Sequence, residues 1–244
     1  MSPLSRALSF TRREVLRLLA VTPLFSVAYR GGIAMAEDTA APRPLAYRGE
    51  HQVKPLPFDP AKLTGLSEKL ITSHHQNNYG GAVKRLNLIE QQLGGLPKDA
   101  APYQMGSLKR EELIARNSMV LHEAYFGNLG GHGSATGTFA ELAKAAYGSL
   151  ETWEAEFRLT GQSLAGGSGW VIVVYDPDSK SLHNAWAFDH THGVAGGAPV
   201  LVMDMYEHSY HMDYGANAKS YVDAFFQNIH WDEVNRRLTR LRVA

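Results

Sequence analysis

The stretch VLVMDMYEHSYHMDY, residues 200–214, changes character halfway along. Val200, Leu201, Val202 and Met203 form an apolar run that suits a buried strand, and the run ends at Asp204. Glu207, His208, His211 and Asp213 follow at once. A carboxylate at a strand end and an imidazole a turn later, Asp204 and His208, can face one point. A solvated loop tip holds such residues by accident, whereas a metal site requires them.

Working outward, the residues before this stretch read as a hairpin of strands. WVIVVYD, PDSK and SLHNAWAFDH, over 170–190, are strand, turn and strand, and PVLVMDM is a third strand. Helical patterns surround them. Residues 60–93 place Leu63, Leu66, Leu70, His74, Asn78, Ala82 and Leu86 on one stripe, ended by Gly94-Gly95-Leu96-Pro97. Ser107 can cap a second helix that runs to about Phe126 and stops at Gly130-Gly131. Shorter helices are expected over 138–147 and 149–163, and closing helices over 215–229 and 232–242. Helices first, then a small antiparallel sheet with more helices, make an α+β fold. It reads as a long N-terminal helical hairpin (56–135) followed by a mixed α/β metal-binding domain (136–244) with a three-stranded antiparallel sheet.

The bulk numbers allow a real core: 244 residues, 44% hydrophobic, with zero formal charge. Neutrality gives no footprint for nucleic acid, and without an apolar run of about 18 residues no membrane-spanning helix is expected. The absence of cysteine excludes disulfides, iron–sulfur clusters, thiolate zinc sites and a cysteine nucleophile. Any metal must be held by nitrogen and oxygen, and 11 histidines can supply them.

The N-terminus, 1–36, reads as an export signal. Arg6, Arg12, Arg13 and Arg17 precede the apolar stretch Leu18 to Ala28 and the small-residue end Ala34-Met35-Ala36. The paired Arg12-Arg13 resembles a twin-arginine signal, which implies a periplasmic or secreted protein, exported folded. An amphipathic N-terminal helix is the plainer alternative. Residues 37–55 read as a linker or loose arm.

Four residues are candidates to converge: His74 midway along the first helix, His122 late in the second, and Asp204 and His208 at the strand end. Three neutral imidazoles and one carboxylate suit iron, manganese or zinc. Spacing alone leaves His74 and His122 open to the ordinary reading of packed helix histidines.

At these residues the chain resembles the iron/manganese superoxide dismutases. DMYEHSYHMDY is similar to the family's D-x-W-E-H-A-Y signature, with Tyr206 in the tryptophan place. HEAYFGNL around His122 resembles the second-ligand helix, and LAGGSGWVIVV, with Trp170, the approach to the first strand. LPFDPAKLTGLS resembles the mature family N-terminus, and SHHQNNYGGAVKRLN the first-ligand helix, where His74 is preferred over His75. The resemblance covers roughly 56–240. It implies His74, His122, Asp204 and His208 as ligands of one iron or manganese ion per subunit, completed by a water or hydroxide. It also implies superoxide as substrate, and a homodimer or dimer of dimers in which Glu207 reaches the partner's ligand histidine.

The departures are as informative. The family usually holds a glutamine donor to the metal-bound solvent. The position four before His122 is Ser118, too short to reach, so the variant with a histidine, His190 in AFDHTHG, is implied, with His192 a loop residue. Trp170 is expected to wall the pocket. The channel His and Tyr of the family are Asn78 and Ala82 here, with Tyr79 one residue further round. The Tyr that meets that His across the dimer is His211. The altered channel motivates an alternative, a peroxidase-like or oxygen-activating metalloenzyme on the same scaffold; a third reading is a metal-holding relative without catalysis.

Overall fold

The computed structural model describes residues 43–241. The export signal at 1–36, the first part of the linker and the final residue of the last expected helix lie outside the described residues.

Within the stretch read as a linker, residues 49–54 are fastened to the helices. Gly49 N–H donates to Glu90 Oε2 (3.0 Å), and Asn87 brackets His51, accepting from its N–H (2.8 Å) and donating to its carbonyl (2.9 Å). Glu90 is buried and also meets His51 Nε2 (2.9 Å) and Arg116 (2.7 Å). Gly49 adopts φ +60°, and a Cβ there would lie 2.3 Å from the Asn87 carbonyl oxygen, so only glycine allows the segment to lie this close. Lys54 ends the strap. Its N–H donates to the Tyr79 hydroxyl (2.9 Å) and its ammonium pairs with Glu123.

The first helix starts later than the stripe suggested. Pro60–Lys62 forms only a 3₁₀ turn, and α1 (Glu68–Ser73) begins where Ser67 Oγ accepts from Leu70 N–H at 3.1 Å. Asp213 holds Ser67 in place, accepting from its N–H and its hydroxyl, both at 2.7 Å. The chain then winds as a π-helical segment, His74–Tyr79, before α2 (Gly80–Gly94). In a π turn the residue five along lies beneath, not the residue four along. The stripe therefore slips by one place: Tyr79 is buried, while Asn78 is half-buried.

The second long helix, α3 (Pro102–Gly127), begins earlier than Ser107. Pro102 supplies the fixed φ of a first helical residue, and Gln104 Oε1 accepts from Ala101 N–H at 3.2 Å. Helices α2 and α3 pack as a hairpin through Leu86, Ile89, Ala115 and Met119. Helices α4 (Gly137–Tyr147) and α5 (Leu150–Ser163) lead into the sheet.

The sheet has strands β1 (Trp170–Asp176), β2 (Ser181–Ala187) and β3 (Ala198–Asp204), all antiparallel, in the order β2-β1-β3. As the central strand, β1 is buried from Trp170 to Tyr175. Each such large apolar side chain contributes about 1.5–3 kcal/mol. Helix α3 packs on β3, α4 on β2, and α5 on β1 and β2. The register pairs Trp170 with Asp204, which brings the indole and the carboxylate to one end of the sheet.

Strand β2 is shorter than its apolar pattern. It stops at Ala187 because Asp189 turns the chain, its Oδ1 accepting from Thr191 N–H (2.7 Å) and the Thr191 hydroxyl (2.6 Å). His190 therefore stands on a turn and not in the strand. After β3, a 3₁₀ turn (Glu207–Ser209) and the short α6 (His211–Tyr214) precede α7 (Ala218–Gln227) and α8 (Trp231–Arg240). No helix among the described residues is long and apolar enough to cross a membrane.

Candidate metal centre

His74, His122, Asp204 and His208 come together from the π segment, α3, the end of β3 and the following 3₁₀ turn, with ligand atoms within 4.8 Å of one another. Asp204 Oδ2 is the hub: His74 Nε2 lies 3.1 Å away, His208 Nε2 3.3 Å and His122 Nε2 3.5 Å. The rival His75 turns elsewhere, its Nε2 on the Lys54 carbonyl at 2.9 Å.

Two of the four, His122 and Asp204, are oriented by hydrogen bonds with their neighbours. His122 Nδ1 donates to the Ser118 carbonyl one turn back (2.7 Å), which leaves the lone pair on Nε2. Asp204 Oδ1 accepts from Tyr206 N–H (2.8 Å), which leaves Oδ2 for the imidazoles. The Asp204 carbonyl takes the Tyr221 hydroxyl at 2.6 Å, and the Ser209 hydroxyl at 2.9 Å.

The electrostatics are those of a cation site. Burial holds His74 below the ordinary histidine range and brings His122 down to about 3, with His74 adding to the effect. Both rings are neutral at pH 7. Burial pushes the Asp204 carboxyl up, but His208 and His74 outweigh it, and the group lies well below the usual carboxylate range. Nε2 of His74 and of His122 is buried without a hydrogen-bond partner. With His74 Nδ1, three buried ring nitrogens are unsatisfied, and a cation beside the buried carboxylate would satisfy the two Nε2 atoms. Three imidazoles and one carboxylate fit iron or manganese by donor chemistry.

Around the four stand the other expected residues. Trp170 is fully buried and meets the His122 ring edge-on at 5.0 Å. Its indole N–H donates to His190 Nδ1 at 3.0 Å. Burial lowers the His190 pKa, with Asp204 partly offsetting it. His192 is a loop residue paired with Asp189 at 2.8 Å. Ala82 is buried on α2, and Glu207 and His211 are exposed at the turn that carries His208.

Three contributions are not evident from the sequence: those of Ser118 and Tyr206, whose positions it marked for other reasons, and of Asn117. Ser118 serves through its backbone carbonyl, a contact that the four-residue spacing to His122 could have suggested. Asn117 Nδ2 donates to the His190 carbonyl (2.6 Å) across 73 residues of chain, which no local pattern signals. Tyr206 stacks on both His190 and His208, at 4.8 Å and 5.2 Å.

Comparison with known proteins agrees with this geometry. Residues 135–237 match the family described as iron/manganese superoxide dismutases, C-terminal domain. A Superoxide dismutase [Fe] of Cupriavidus metallidurans is 58% identical over 195 residues, covering 80% of this chain and 98% of that protein. The chain belongs to the iron/manganese superoxide dismutases. A Superoxide dismutase [Mn] 1 of Halobacterium salinarum is 32% identical, over 77% of this chain and 94% of its own length. A Superoxide dismutase [Fe] of Aquifex pyrophilus is 31% identical, over 80% and 95%. Both metals therefore occur among similar members of the family.

Proposed function

We propose that this chain is an exported superoxide dismutase working with iron or manganese. The observation that carries the reading is the buried convergence of His74, His122, Asp204 and His208, with two Nε2 atoms left unpartnered, in a member of this family.

Two superoxide ions and two protons give one oxygen and one hydrogen peroxide. When bound, iron or manganese supplies the +3/+2 couple that takes an electron from one superoxide and returns it to the next. The residues do the rest. His74, His122 and His208 present neutral nitrogens, and Asp204 presents the one negative charge. Trp170 and Phe126, both buried, crowd the His122 ring and keep water from that side. His190, with Nδ1 occupied by Trp170, carries its proton on Nε2 and serves as a donor in the site.

Superoxide loss followed in stopped flow, normalised to iron and manganese content, tests this. Fast turnover per metal is the expected result. Full occupancy with negligible turnover would overturn it in favour of a different metalloenzyme, a reading motivated by the small side chains at Asn78 and Ala82.

For the assembly we assign Glu207 and His211, both exposed, to a contact between two copies, with Asn78 of one protomer facing His211 of the partner subunit. Sedimentation should show a dimer that Glu207→Ala and His211→Ala weaken; a monomeric parent chain would refute the assignment. Export rests on Arg12-Arg13 and the apolar stretch after them. Replacing both arginines by lysine should trap the protein in the cytoplasm.

A further inference from the structure

Two imidazoles of the site are not locked by burial. The His74 and His122 side chains are 0% and 1% exposed and have no room to turn, but the His208 side chain is 27% exposed. His190 is half-buried on its turn. Both rest on the same aromatic ring. Tyr206 lies 4.8 Å from His190 at an interplanar angle of 17°, and 5.2 Å from His208 at 15°. The three rings are close to parallel.

The polar contacts leave this work undone. Trp170 fixes one atom of His190, Nδ1, and Asn117 fixes its carbonyl. A single bond to Nδ1 fixes a point and leaves the ring free to tilt about it. Likewise, the contact of His208 Nε2 with Asp204 Oδ2, at 3.3 Å, fixes an atom and not a plane. A flat face packed on each ring supplies what is missing, and an aromatic pair biases orientation by roughly two- to tenfold. Tyr206 is itself anchored: its N–H is bonded to Asp204 Oδ1 (2.8 Å), and Trp170 meets its ring edge at 5.9 Å.

We propose that Tyr206 is a positioning residue whose ring sets the planes of His208 and His190 together, so that a metal ligand and the donor histidine beside it are aligned by one side chain. The consequence for turnover rests on the dismutase reading; the alignment does not. The phenol face is what meets the two imidazoles; the hydroxyl is directed to the His190 main chain and Ser168 instead.

The test uses the full chain with Tyr206→Leu and Tyr206→Phe. In chelator-treated protein, hydrogen exchange of the Trp170 indole N–H is followed by NMR, its signal assigned with Trp170→Phe. In iron-loaded protein, the rate of iron release to a chelator is measured. With Tyr206→Leu, indole exchange and iron release should both rise by roughly tenfold, while Tyr206→Phe stays near the parent. Parent-like behaviour of Tyr206→Leu in both measurements overturns the proposal. So does an equal defect in Tyr206→Phe, which would place the effect in the hydroxyl. Neither readout depends on superoxide, so an inactive parent chain would sink the dismutase reading and leave this one standing.

Discussion

The indole N–H of Trp170 meets Nδ1 of His190 across 3.0 Å, and that contact decides which nitrogen of the imidazole holds the proton. A nitrogen that accepts carries no hydrogen, so the neutral ring is protonated on Nε2. Trp170→Phe keeps most of the packing and removes the donor. Metal content should be unchanged while turnover per metal falls by roughly 10- to 100-fold. The pH profile of turnover should move as well, because Nδ1 is then open to a proton. An unchanged profile would reduce Trp170 to packing.

Asp204→Asn separates the site's charge from its shape. Removing the carboxylate should lower metal affinity by more than the roughly 10- to 100-fold that follows loss of an outer hydrogen bond. The metal-free protein should lose some stability as well, since a carboxylate held below its usual range by His208 and His74 favours the fold when ionised. Melting curves with and without chelator check this. The gap between them, wide in the parent, should close in the variant.

Stability of the metal-free protein should fall as the solution is acidified below the ordinary histidine range. His74 and His122 have folded pKa values lowered by burial, His122 to about 3, so below about pH 6.5 the unfolded chain binds protons that the folded chain refuses. Their contribution is whole above that point and is lost as pH falls. Asp204, shifted down, adds its own loss only under the usual carboxylate range. Urea midpoints between pH 7 and 4 measure the slope; a flat profile contradicts the burial of neutral rings.

Gly49→Ala probes the strap. Its φ of +60° and the 2.3 Å approach of a Cβ to the Asn87 carbonyl oxygen leave no relaxed place for a methyl group. The backbone strain alone costs about 1–3 kcal/mol. The melting temperature should drop, and a neutral result would mean that residues 49–54 contribute nothing to stability.

Much of this was readable beforehand, and the failures have physical causes. The opening stretch disclosed Asp204 and His208 because a strand end followed by a turn is a local pattern. His74 and His122 were candidates on the helix patterns, but only the resemblance favoured them as ligands, since a helix stripe does not distinguish a ligand from a packed ring. The stripe also assumed a uniform α pitch. The π segment broke that assumption and put Tyr79 where Asn78 was expected. Strand β2 was read too long because Phe188 continues its apolar pattern, while the Asp189 side chain turns the backbone. Tyr206 was noticed as a departure from the family, yet its stacking partners, 16 residues back in sequence and two ahead, meet only in the folded chain.

The segment from Gly49 to Lys54 touches both helices that carry a ligand histidine: it meets Tyr79 next to α2 and Glu123 on α3, beside His122. This sets a limit on trimming of the N-terminus. A protease that cut anywhere upstream of Gly49 would leave the tether whole. One that cut at residue 55 would keep all four ligands in the sequence while releasing the clasp between their helices. Trimming that spares the clasp and trimming that releases it would then differ by the removal of only a few residues.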